Sequence, residues 1–288
     1  MSTVYVVYNP LANNGRSIES IENFAKNLKD EYILCDMTKG YEDTIKGMQS
    51  DDTLIICGGD GTLNRFVNEI GAECVEGDIM YYACGSGNDF AHDISLERDS
   101  EPVSIKKYLL DLPEAEIKGK SYKFINAIGF GIDGYCCEEG DRQREAYPGK
   151  KVDYTAIAIK GLLGKYKPRN AKITVDGVVK EYKKVWIAPA MHGRYYGGGM
   201  IAAPDHNRED RETLALVVWH CPNKLKTLMS FPSIFKGEHV KDTKHVEVIE
   251  AREITVEFDK PCALQVDGET ILGVTSYNAK VKVPSKVL

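Results

Sequence analysis

A chain of 288 residues, 43% of them hydrophobic, has enough apolar material for one large core or two ordinary ones, and a formal net charge of −6 argues against a general nucleic-acid surface, leaving any attraction to anionic membranes to a local basic patch. No apolar run approaches a membrane-spanning length and Val4 opens a strand-like run with no secretory leader before it, which predicts a cytoplasmic protein. The eight cysteines are scattered without a Cys-x-x-Cys pair, which predicts free thiols and no structural zinc.

In chain order, residues 4–8 read as a strand that ends in Asn9-Pro10 and a polar Gly loop through Gly15, and Ile18, Ile21, Phe24, Ala25 and Leu28 mark one face of a helix. A short strand at 32–35 runs into Asp36, Met37 and Thr38, and a polar helix is predicted over 41–49. The third strand, 53–57, breaks into Gly58-Gly59-Asp60-Gly61-Thr62 before Leu63, Phe66, Val67 and Ile70 resume at helical spacing. A fourth, 79–84, meets Gly85-Ser86-Gly87-Asn88-Asp89-Phe90, and one more helix is predicted over 102–112. Strands and helices that alternate in this way, with polar Gly loops at the strand ends, predict an α/β N-terminal domain whose parallel sheet binds its ligand at the carboxyl ends of the strands.

From Tyr122 onward β signals dominate. Residues 172–175 alternate, Asp176-Gly177 supplies a two-residue hairpin turn, and 178–188 return; further strands are predicted at 213–221, 246–249, 253–258, 262–266 and 280–283. Helices at 153–163 and 224–235 interrupt them. The sequence therefore predicts two tightly packed domains joined near residue 115, over 1–115 and 116–276, with the site in the groove between them.

The Gly58 to Asn64 turn has the make-up of a phosphate cradle: glycines that admit positive φ and close approach, and a new helix N-terminus aimed at the same place. Asp60 there would repel a phosphate unless a cation lies between them or a proton is handled; the structural alternative is that Asp60 or Thr62 caps the helix. Gly85 to Phe90 divides between a second phosphate loop and a helix cap. Residues 126–133 read best as a bulged strand at the domain junction, and Gly197-Gly198-Gly199-Met200 as either a lip over a ligand or a plain β connection. Asp205, Asn207, Glu209, Asp210 and Glu212 crowd one loop with Arg208 and Arg211 among them, without EF-hand spacing. Asp267-Gly268-Glu269 is a hairpin turn with a carboxylate beside it. Lys160 to Arg169 mixes apolar and basic residues as membrane-surface segments do, or forms a core helix and a solvated loop.

Taken in order, Asn9-Pro10, Gly58-Gly59-Asp60-Gly61-Thr62-Leu63-Asn64, Gly85-Ser86-Gly87-Asn88-Asp89-Phe90, Gly129-Phe130-Gly131-Ile132-Asp133, Gly198-Gly199-Met200 with Pro204-Asp205, and Asp267-Gly268-Glu269 resemble the diacylglycerol kinase catalytic domain superfamily, in particular its small soluble bacterial lipid kinases. The resemblance spans nearly the whole chain. It implies an ATP-binding α/β domain and a C-terminal all-β sandwich domain that takes the lipid acceptor, with the tail, about 277–288, returning to the first domain. It implies that Asn9, Pro10, Thr38, Gly58, Gly59, Asp60, Gly61, Thr62, Leu63, Asn64 and Ser86 line the ATP site. Glu269 would be the general base, with Asp60 and Asp89 organising Mg²⁺-ATP and the acceptor. A structural Mg²⁺ would be held by Asn207, Asp210 and Glu212, although Arg211 stands where the family has Gly. The expected activity is transfer of the γ-phosphoryl group to a diacylglycerol-like lipid at the inner face of the membrane, with no nucleic acid involved; a homodimer is compatible with the sequence. Two alternatives are a kinase of a soluble acceptor such as NAD and a nucleotide-binding regulator without turnover.

Overall fold

The computed structural model describes residues 2–12, 17–150 and 152–282. The part of the first Gly loop beyond Ala12, and Val283 with the rest of the tail, lie outside the described residues. The chain divides into two compact units, Met1–Leu112 and Pro113–Leu288.

The first unit contains β1 (Val4–Tyr8), α1 (Ser17–Lys26), β2 (Tyr32–Asp36), α2 (Glu42–Lys46), β3 (Thr53–Gly58), α3 (Asp60–Glu69), β4 (Asp78–Ala83), α4 (Asp89–Asp93), β5 (Val103–Ser104) and α5 (Lys106–Leu109). Its sheet has the order β2-β1-β3-β4-β5, parallel except for the short β5. A parallel sheet is apolar on both faces, and β3 accordingly buries Leu54, Ile55, Ile56 and Cys57 in succession. Ile21 packs with Val4, Val6, Ile55 and Cys57 on one face, where Phe24 of α1 stacks on Tyr82 at 4.2 Å. The helix predicted over 102–112 is a single turn, α5, preceded by β5, which pairs with Met80 and Tyr81; edge pairing takes the residues that the periodicity had assigned to a helix.

The second unit contains β6 (Glu114–Ile117), β7 (Lys120–Lys123), β8 (Ala127–Gly131), α6 (Ile132–Ala146), α7 (Tyr154–Lys160), a π turn (Gly161–Lys165), β9 (Arg169–Val175), β10 (Val178–Met191), β11 (Tyr195–Tyr196), β12 (Met200–Ile201), β13 (Leu214–His220), α8 (Lys224–Ser230), β14 (Val246–Ala251), β15 (Glu253–Val266) and β16 (Glu269–Lys280). The sandwich is made by two 14-residue strands, β10 and β15, that pass through both layers. Their first halves flank β9 and their second halves flank β8. The pairing slips between Val185 and Ile187 and between Glu257 and Cys262, as bulges let a strand turn a corner between sheets. Ile128 and Phe130 of β8 then share one core with Ala171 and Ile173 of β9, and Phe130 stacks on Phe258 at 4.8 Å. Residues 253–266, predicted as two strands, are thus one.

A second core lies on the other side of β13, whose Ala215, Val217 and Trp219 join Ile132, Leu162, Trp186 and Ile234 while Leu214, Leu216 and Val218 face the first. Both predicted Asp-Gly turns have two successive positive φ values, Asp176 at 47° with Gly177 at 83° and Asp267 at 47° with Gly268 at 90°, the geometry that matches the twist of hairpin strands. Of the segment expected to return to the first unit, about 277–288, the described part up to Lys280 ends β16, where Asn278, Ala279 and Lys280 pair with β6 on one side and β15 on the other; residues 283–288 lie outside the described residues.

Candidate functional site

In the first unit the strand register brings the predicted nucleotide residues to one edge. Tyr8 lies opposite Asp36 and Cys57, and Gly58 opposite Ala83, so the segments after β1, β2, β3 and β4 leave the sheet side by side. Asn9 Oδ1 accepts the Leu11 amide at 3.0 Å and shapes the turn around Pro10. Asp36 Oδ1 accepts both the amide and the hydroxyl of Thr38, at 2.8 and 2.7 Å. Those bonds, with Lys39 beside it, hold the Asp36 carboxyl below its usual range against the opposing desolvation.

The two Gly loops touch through their backbones. A Cβ on Gly85 would lie 2.4 Å from Gly59 Cα, and one on Gly59 would lie 2.3 Å from the Gly87 carbonyl oxygen. The Asp60 amide donates to that same Gly87 oxygen at 3.0 Å, and Gly58 O accepts the amides of Cys84 and Gly85 at 3.0 and 2.9 Å. None of Gly58, Gly59, Gly61, Gly85 and Gly87 has positive φ. Close approach, not left-handed backbone, is what requires glycine here.

Asp60 is buried, and its two oxygens accept the amides of Asp89 and Phe90 at 2.8 and 2.9 Å. It therefore caps α4, the helix of the other loop, and not its own: α3 starts after Gly59 without a side-chain cap. The predicted aspartates 60 and 89 are brought together by this bond. Thr62 and Asn64 are buried, and Ser86 and Gly61 are exposed; a side chain on Gly61 would meet no atom within 4 Å. Leu63 differs from the expectation. Its side chain is fully buried in the core and its amide donates to Gly59 O, so it supports the turn from behind. Exposed Gly61 and Ser86 on touching loops, at the start of a ten-residue helix, fit a phosphate group.

In the second unit Glu269 is exposed, directly after the Asp267-Gly268 turn. Asp267 positions that turn: its carboxylate accepts the amides of Ile125, Asn126 and Ala127 at 2.6, 2.8 and 2.9 Å. Buried Arg208 reinforces the same segment, donating to Ile125 O at 2.5 Å and Asn126 Oδ1 at 2.7 Å. The predicted metal residues do not form a cage. Asn207 Oδ1 accepts the Glu209 amide, Asp210 accepts from the Glu212 amide and Thr213 Oγ1, and Glu212 pairs with Arg252 at 3.1 Å. Among the described residues no group of three His, Cys, Asp or Glu side chains is placed to share a cation. With its oxygens turned into its own backbone and toward arginine, this donor set does not fit a divalent ion.

Of residues 126–133, Ala127–Gly131 form β8 with an unbroken register, and Ile132 and Asp133 open α6, so no bulge lies there. Gly129 faces Pro189 of β10, whose Cα would be 2.5 Å from a Cβ there. Asp133 sits in the first turn of α6 and is buried; Oδ1 accepts the Gly134 amide at 2.9 Å, while Asp133 Oδ2 and the neighbouring Gln265 Nε2 make no hydrogen bond. Burial pushes the Asp133 carboxyl up to about 6. The one sequence signal for this acid was the aspartate right after a strand and a Gly-x-Gly turn.

The model of the diacylglycerol kinase catalytic domain matches residues 3–113, and that of the YegS C-terminal NAD kinase beta sandwich-like domain matches residues 126–287. YtlR of Bacillus subtilis (strain 168) is 27% identical over 246 residues, covering 78% of this chain and 75% of its own. A diacylglycerol kinase of Mycobacterium tuberculosis (strain ATCC 25618 / H37Rv) is 22% identical over 268 residues, covering 88% and 84%. The crystal structure of a diacylglycerol kinase from Bacillus anthracis str. Sterne has the same fold, with a TM-score of 0.61 at 18% identity over 98% of this chain and 94% of that one. Two family models that follow one another along the chain, one on each structural unit, place it plainly: it belongs to the diacylglycerol kinase catalytic domain superfamily.

Proposed function

We propose that the protein is an ATP-dependent lipid kinase that transfers the γ-phosphoryl group to the hydroxyl of a diacylglycerol-like lipid, working in the cytoplasm at the inner face of the membrane. The observation that supports this best is the pair of touching loops at the strand ends, Gly58 to Asn64 and Gly85 to Phe90, with Asp60 fastening one to the other. In this reading Asn9, Pro10, Thr38, Gly58, Gly59, Gly61 and Ser86 surround the nucleotide, with Thr62, Leu63 and Asn64 shaping the turn behind them. Asp60 and Asp89 hold the geometry of the phosphate loops. Mg²⁺, when bound with ATP, neutralises charge on the transferring group. Glu269 takes the proton of the acceptor hydroxyl as its oxygen bonds to the γ-phosphorus and the bond to the β-phosphate oxygen breaks, releasing ADP. A base in that position is typically worth about 10²- to 10⁴-fold in rate.

The test is a radiolabelled-ATP assay against a mixed lipid extract and against NAD, with the product identified. Labelled lipid that disappears in Glu269→Gln is the expected result. Label in NAD, or undiminished lipid labelling by both Glu269→Gln and Asp60→Asn, would refute the proposal.

A further inference from the structure

The loop from Asp205 to Glu212, expected to close around a structural Mg²⁺, carries a buried positive charge of its own. Of its Asp, Glu and Arg side chains Arg208 alone is buried, at 5% exposure. A guanidinium taken out of water must spend its fixed fork of N–H donors on oxygens close by. Arg208 spends them on the segment just before β8, where one terminal nitrogen reaches Ile125 O and the other Asn126 Oδ1. A backbone carbonyl and a side-chain amide oxygen are also what a Mg²⁺ or Ca²⁺ would draw on. Here N–H groups have taken both.

The same segment is held from its other side by an acid. The Asp267 carboxylate accepts the Ile125, Asn126 and Ala127 amides, so Ile125 gives its N–H to a carboxylate and its carbonyl to a guanidinium. His192 crosses there too: its amide donates to Asn126 O at 2.8 Å. Burial, and after it the charge of Arg208, His206 and Arg211, holds the His192 imidazole well below its usual range. Two guanidinium groups close enough to act on His192 also raise the cost of placing a divalent ion beside them. The contacts run from Arg208 through Ile125 and Asn126 to Asp267, two residues before Glu269.

We propose that Arg208 is the resident cation of this loop: its guanidinium does the work of a structural divalent ion, and as a positioning residue it sets the Asp267-Gly268-Glu269 turn without metal. A cation carried on the chain is not lost by dilution or chelation, so the second unit should be indifferent to metal. The Mg²⁺ that accompanies ATP is a separate matter. Only the turnover arm of the test rests on the lipid-kinase reading; the melting arm does not.

The full-length protein, free of nucleotide, is dialysed against EDTA and melted with and without excess Mg²⁺ or Ca²⁺, followed by the fluorescence of Trp186 and Trp219. Wild type should retain no stoichiometric divalent ion, and its melting temperature should move by no more than about 1 °C, whereas an excess of a structural ion would raise it by several degrees. Arg208→Met strands two buried oxygens and should melt roughly 5–10 °C lower. Arg208→Lys keeps the charge and one donor contact and should recover about half of that loss. At temperatures where both variants are folded, Arg208→Met should lower kcat for lipid phosphorylation by about 10- to 100-fold with KM for ATP unchanged, and Arg208→Lys should restore part of it. The proposal is overturned if EDTA lowers the wild-type melting temperature or a divalent ion stays bound, if Arg208→Met melts or turns over like wild type, or if Arg208→Lys is no better than Arg208→Met. Should Arg208→Met fail to fold, Arg208→Lys and the EDTA series decide. A wild type that phosphorylates no lipid refutes the kinase reading, and the melting results then decide this one.

Discussion

Replacing Asp133 by Asn removes a buried acid whose protonation is tied to folding. Its carboxyl titrates near 3.8 when unfolded and at about 6 when folded, because burial disfavours the charge. The difference is about two pKa units, and at about 1.36 kcal/mol per unit it is worth on the order of 3 kcal/mol. The sign follows from proton uptake. Between the two pKa values the folded chain holds a proton that the unfolded chain has lost, so this stabilisation is fully present below 3.8 and lost as pH rises through about 6. Wild type therefore carries the charged, desolvated group at neutral pH and Asp133→Asn does not. The variant's stability relative to wild type should rise by about 2–3 kcal/mol from about pH 4 to about pH 8, on top of a pH-independent offset from the new amide. Both tryptophans, Trp186 and Trp219, lie in the second unit with Asp133, so urea unfolding followed by their fluorescence reports the right unit. A variant-minus-wild-type difference that is flat across that range would refute the reasoning.

Gly85→Ala and Gly61→Ala separate the support of the phosphate loops from their open face. The first puts a methyl 2.4 Å from Gly59 Cα and should cost about 1–3 kcal/mol in thermal unfolding, with loss of nucleotide binding. The second meets nothing within 4 Å and should gain up to about 1 kcal/mol in helix propensity while weakening ATP, as read by calorimetry; equal effects from the two would count against the cradle. Asp60→Asn keeps one acceptor for one of the two amides and sets a donor NH2 against the other, so a loss of about 1.5–3 kcal/mol is expected, with faster amide exchange at Asp89 or Phe90. Iodoacetamide at about pH 8 should modify the exposed Cys74 first. Burial pushes the Cys35 thiol to about 11 and Cys84 and Cys262 to about 12, so mass spectrometry that finds any of these labelled ahead of Cys74 would contradict the structure.

The sequence by itself determined the parallel α/β unit, its Gly loops and the family. Apolar runs such as Leu54 to Cys57, Gly-rich breaks and Asp-Gly turns act over a few residues, and each leaves its mark in consecutive positions. What Asp60 does was decided by tertiary structure alone, because its partners at Asp89 and Phe90 are about thirty residues away and no local pattern encodes them. The 15-residue α6 escaped the periodicity for a related reason. It packs through glycine, with the Ala263 oxygen 2.2 Å from a Cβ on Gly134 and the Tyr154 ring 2.7 Å from one on Gly140, so it has no aliphatic stripe to detect. Aliphatic side chains announce in sequence that they will be buried. Glycine contacts, cross-loop caps and a buried acid such as Asp133 become meaningful only once the surrounding backbone is in place, since it is the neighbour's proximity that gives them their energy.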